Sequence, residues 1–160
     1  METNKMKKVL IALDYDPTAQ KVAETGYSLA ASMGAEAILL HVVSDPAYYI
    51  PRNYTTIMGF TGFVDSGPIQ LDNMDELKKT AQHFLDKSKH HLGDKGIQTL
   101  IKDGDFAESI LKVAKDLHAD VIVLGSHSQK WLENILMGGV TEKVLRLSTI
   151  PVLIVPTKKK

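Results

Sequence analysis

The chain has 160 residues and a mass of 17.6 kDa, which suits one domain with a core of its own. Nineteen Lys and Arg balance nineteen Asp and Glu, so no net field draws nucleic acid or an anionic membrane. There is no cysteine, which excludes disulfides, thiolate nucleophiles and cysteine-held metal centres. That composition fits a reducing compartment. The apolar run from Val9 to Leu13 stops at Asp14, well short of a signal-peptide core or a membrane span. A cytoplasmic protein is expected, with no membrane and no nucleic acid among its partners.

Short aliphatic runs alternate with stripes of helical period. Val9–Leu13 reads as a buried strand. Asp16 and Pro17 then offer an N-cap and a first-turn proline, and Gly34 a C-cap. Between them Val22, Gly26, Leu29, Ala30 and Met33 share one helical face. Ala37–Val43 is the second strand. Asp72 opens a helix whose face carries Met74, Leu77, Ala81, Phe84, Leu85, Ser88 and Leu92, and Gly93 closes it. Ile97–Ile101 is the third strand. Asp105 with Glu108 resembles a capping box ahead of Ile110, Leu111, Ala114 and Leu117. Val121–Leu124 is the fourth strand, Val140–Leu147 a short helix and Val152–Val155 the last strand.

Unbroken aliphatic strands alternating with helices predict a parallel sheet covered on both faces. The expected fold is α/β, a single doubly wound domain spanning residues 1–160 with five strands. One connection, from about 44 to 71, is far longer than such units need. It leaves the carboxyl end of the second strand and carries Tyr48, Tyr49, Tyr54, Phe60 and Phe63. Either an ordered flap over a ligand or a static excursion packed on the domain's flank accounts for those rings.

In open sheets of this kind ligands bind beyond the carboxyl ends of the strands, where the strand order reverses. The first strand ends in Leu13-Asp14-Tyr15-Asp16. The fourth ends in Gly125-Ser126-His127-Ser128, and Gly138-Gly139 precede the last helix. Glycines admit close approach of backbone to ligand, and the N–H groups of a helix start favour a phosphate. Thr141 adds a hydroxyl in that first turn. Asp14 suits a ribose or an adenine edge. The plainer reading makes Gly125 a strand end, Gly138-Gly139 a helix start and Asp14 a turn residue. Asp14 and Asp16 are close enough to hold a divalent ion bridging phosphates, though no feature demands one. His127 and Trp131 read as packing residues, and His41 as a satisfied core histidine. His83, His90 and His91 with Asp86 read as a polar helix face rather than a metal site. No catalytic set stands out: there is no Walker lysine motif, nor paired carboxylates beside a nucleophile.

The block from Val121 to Ser128, the ten-residue step to Gly138, the run from Gly139 to Arg146 and Ile150 to Val155 resemble the carboxyl half of universal stress proteins. Val9–Asp14, Leu40–Val43 and Gly104-Asp105 are similar to that family's earlier strands and turn. The resemblance implies a Rossmann-like fold, akin to adenine-nucleotide alpha hydrolases, and a homodimer joined through Val152–Val155. One branch of the family binds ATP, and the motif carries over as follows. Gly125 and Gly138 match its first and third glycines, Asp14 the acidic residue near the nucleoside and Val42 the residue lining the adenine. Val140 and Thr141 match the phosphate-holding helix start. Ser128 replaces the second glycine, and Gly139 the hydroxyl residue. The implied cofactor is ATP, with Mg or Mn as a companion ion, and the implied role is a nucleotide-responsive stress-response module, not an enzyme, with absent or slow hydrolysis and an unidentified protein partner. The alternatives are a member of the family that works through protein contacts alone, and an ATP-using enzyme of a related fold. Leu13-Asp14-Tyr15-Asp16 lacks the Ser-Gly-Gly loop or His-x-Gly-His signature that such an enzyme needs.

Overall fold

Strands without polar interruption bury both faces, and in the computed structural model, which describes residues 6–15, 18–44, 74–126 and 139–156, they do so. The elements in chain order are β1 (Lys8–Ala12), α1 (Ala19–Met33), β2 (Glu36–Val43), α2 (Met74–Leu92), β3 (Gln98–Asp103), α3 (Phe106–Asp116), β4 (Val121–Gly125), α4 (Val140–Leu147) and β5 (Val152–Val155). The strands form one five-stranded sheet in the order β3-β2-β1-β4-β5, and every pairing is parallel. The sheet is the doubly wound α/β arrangement expected.

Side chains alternate between the faces. Val9, Ile11 and Leu39 meet Val22, Ala23 and Ala30 of α1 and Leu85 of α2. Leu10, Leu40, Val42 and Ile122 meet Ile110, Val113 and Ala114 of α3 and Val144 of α4. Gly26 lets α1 lie directly on β1: a Cβ there would stand 2.7 Å from Ile11 Cδ1 and Cγ1.

Most boundaries fall where the pattern puts them. Gly34 caps α1 in the left-handed region at φ 64°, where backbone N–H groups of the cap donate to the orphan carbonyls of Ala30 and Ala31, and Gly93 follows α2 at φ 72°. Asp105 caps α3, its carboxylate accepting the Glu108 N–H at 3.0 Å. α4 and β5 match residue for residue. Other boundaries differ: β2 begins at Glu36 rather than Ala37, β3 at Gln98 rather than Ile97, and β4 ends at Gly125 rather than Leu124. β1 runs from Lys8 to Ala12, and Leu13 continues it by a single bond, its N–H donating to Leu40 O at 2.8 Å. β3 extends to Asp103 because Lys102 and Asp103 pair with Val42 and Val43 at an edge where polar side chains reach water. α1 starts at Ala19 after Thr18, which makes no side-chain cap hydrogen bond. Asp16, Pro17 and the long connection, apart from Ser44, lie outside the described residues.

Candidate functional site

The chain runs from β1 outward through β2 to β3, then returns to place β4 on the other side of β1. The switch point therefore lies between the carboxyl ends of β1 and β4. A small cleft opens there. Ala12, Leu13 and Asp14 supply it from the end of β1, Thr18, Ala19 and Val22 from the start of α1, and Gly125 from the end of β4. Asp14 and Gly125, separated by more than a hundred residues in sequence, thus share one wall.

α4 is tied to the same place. The Thr141 hydroxyl donates to the Gly125 carbonyl at 2.9 Å, and Thr141 is buried. Gly139 stands at the N-cap in an extended conformation, φ −66° and ψ 152°, with no side chain to occupy the first-turn N–H groups. Lys143 fastens this turn to α3: its Nζ lies 3.3 Å from the Asp105 carboxylate and 3.7 Å from Glu108. Asp105 is held below the ordinary carboxylate range chiefly by the Glu108 N–H, with Lys143 adding to it. The second half of the expected capping box is thus diverted, since Glu108 faces Lys143 across the helices.

The expected site residues divide into three groups. Asp14 and Gly125 line the cleft, and Gly139, Val140 and Thr141 form the helix start joined to it through Gly125. Val42 is buried among the α3-side residues, beneath the sheet end rather than among the residues lining the cleft. Ser128 and Gly138, with His127 and Trp131, lie outside the described residues. Sequence reasoning missed Thr18, Ala19 and Val22, which read only as the beginning of a helix. Their clue was the rule that helices begin where parallel strands end.

His41 is a correction. The imidazole is 3% exposed and its Nδ1 donates to the Leu13 carbonyl at 2.7 Å, since a carbonyl oxygen can only accept. Its Nε2, however, has no hydrogen-bond partner among the described residues. The ring is half satisfied, packed at 4.2 Å between centroids on Tyr15 and at 5.8 Å on Phe84. Burial pushes its pKa below the ordinary value, opposed by the Leu13 bond and the Asp14 charge. On the helix surface, His91 joins Glu24 of α1 at 2.6 Å and lies 2.9 Å from the Gln20 amide.

The sequence pattern of the universal stress protein family matches residues 5–156. The chain belongs to the universal stress protein family. Universal stress protein MJ0577 of Methanocaldococcus jannaschii is 31% identical over 157 residues, which cover 95% of this chain and 96% of that one. Universal stress protein YxiE of Bacillus subtilis is 32% identical over 151 residues, covering 92% and 97%. The solved structure of MJ0577 superposes with a TM-score of 0.69 at 29% identity over 98% of this chain and all of that one. A universal stress protein solved in complex with cAMP shares the fold, with a TM-score of 0.65 at 19% identity over 97% of this chain and 100% of that one. Among the described residues no helix is long and apolar enough to cross a membrane.

Proposed function

We propose that the protein binds an adenine nucleotide, ATP, in the crevice between β1, β4 and α4, and acts as a nucleotide-responsive, homodimeric stress-response module with hydrolysis absent or slow. One observation carries the reading: Asp14 and Gly125 share the cleft at the switch point, and Thr141 ties the α4 start to Gly125. The residues suit such a ligand. A carboxylate repels phosphates, so Asp14 belongs at the nucleoside end, where it can accept from ribose hydroxyls or an adenine amine. The uncapped α4 start, with its aligned N–H groups and dipole, belongs at the phosphate end. That a relative of the same fold was solved with cAMP supports the ligand class. A divalent companion ion on the phosphates belongs to the same proposal.

Calorimetric titration of ATP, with and without Mg²⁺, tests this. Millimolar or tighter affinity that Asp14→Ala weakens is expected. The non-binding alternative draws on Thr141, whose hydroxyl proton is committed to Gly125, and on Gly139, which has no hydroxyl to offer. No heat with the unmodified protein, and no nucleotide released on denaturing protein purified from cells, decides for that alternative.

A further inference from the structure

The buried run of β2, Ala37–Val43, is aliphatic with one exception. His41 stands among Leu39, Leu40, Val42 and Val43, all buried. A leucine would fill such a position without a polar penalty. Here one ring nitrogen lacks a partner among the described residues, and an unsatisfied buried polar group opposes folding. Packing alone gives no reason for an imidazole.

Its contacts do. The Nδ1 donates to the carbonyl of Leu13 at 2.7 Å, at the point where β1 leaves the sheet. The ring face lies against Tyr15, centroids 4.2 Å apart and planes inclined at 37°. Tyr15 is backed in turn by Phe84 of α2, edge to face at 5.2 Å, and packs on the cluster of Val43, Leu77 and Ala81. One side chain thus grips the residue before Asp14 and the residue after it. Asp14, between them, lines the cleft.

We propose that His41 is a positioning residue for the nucleotide site, clamping residues 13 and 15 so that Asp14 is held ready for the nucleoside. The clamp rests on the nucleotide reading for its purpose, but not for its geometry. His41→Leu removes the donor and keeps the bulk. His41→Asn keeps a donor close to where Nδ1 sits, without the second nitrogen.

The test compares ATP affinity by calorimetry with amide hydrogen exchange at Asp14 and Tyr15 in the ligand-free protein. His41→Leu is expected to weaken ATP on the order of tenfold and to speed exchange at those two amides. His41→Asn is expected to restore most of both. Tyr15→Leu, which loosens the other grip, is expected to weaken ATP several-fold and serves if His41→Leu does not fold. A folded His41→Leu or Tyr15→Leu with unchanged affinity overturns the clamp and leaves the nucleotide site standing, and so does a His41→Asn as weak as His41→Leu. If the unmodified protein binds no ATP, the nucleotide reading falls instead. Exchange then judges the clamp alone, and unchanged rates at Asp14 and Tyr15 overturn it.

Discussion

Two residues carry costs that a measurement can read. His41 is buried neutral, with desolvation as the main cause of its lowered pKa. As pH falls below the ordinary imidazole value of about 6.5, the unfolded chain takes up a proton before the folded one does. Stability contributed by keeping His41 neutral is therefore complete above that pH. It declines below it, by about 1.4 kcal/mol per pH unit at most, until the folded state also protonates. Urea melts between pH 7 and 5 are expected to show this slope, and His41→Asn to remove it. Gly139 is the second residue. Its φ of −66° and ψ of 152° are open to any amino acid, so Gly139→Ser introduces no backbone strain. Serine at an N-cap is worth a few tenths of a kcal/mol over glycine, and its O–H remains available to a phosphate. We expect unchanged folding and severalfold tighter ATP; affinity that stays the same would put the phosphates somewhere other than the α4 start. Only one of the two was legible in sequence. His41 read as an ordinary core histidine because the missing partner of Nε2 is a fact about space, whereas the glycine beside Val140 was visible at once.

At the scale of elements, the contact of α1 with β1 decides how closely the cleft's two walls approach. Gly26 faces Ile11, which is fully buried, and an added Cβ would meet its side chain at 2.7 Å. Helix propensity favours alanine over glycine by about 1 kcal/mol, but overpacking of a tight core costs about 1–3 kcal/mol. Gly26→Ala is expected to lower stability by roughly 1 kcal/mol in urea denaturation, because both Cδ1 and Cγ1 of Ile11 stand in the way of the new methyl. A stabilised single variant would show that α1 can shift outward. The helix itself was plain from its period and from Gly34. What its period could not reveal is that the glycine in the buried stripe stands against a particular isoleucine of β1, Ile11, fifteen residues upstream.

For the whole molecule, β5 ends the sheet on one side. Val152, Leu153 and Ile154 are only partly covered, with Leu153 36% exposed, and Leu145 and Leu147 of α4 are also exposed. A strand edge with unpaired backbone groups and apolar side chains invites a second chain, and a twofold axis satisfies both copies at once. We expect light scattering at micromolar concentration to give twice the 17.6 kDa chain mass, and Leu153→Lys to shift it to the single-chain value. A monomeric mass for the unmodified protein removes the dimer. Strand order, on which this depends, came from the tertiary structure. The sequence by itself determined the elements, because apolar runs and stripes have different periods and glycines mark their ends, and it determined the two segments, Asp14 and Gly125 onward, worth attention. Only the tertiary structure decided that β4 crosses back beside β1, that Thr141 spends its hydroxyl proton on Gly125 and that His41 reaches both neighbours of Asp14. Those are long-range pairings between residues far apart in the chain, and local periodicity carries no information about which strand end will stand beside which.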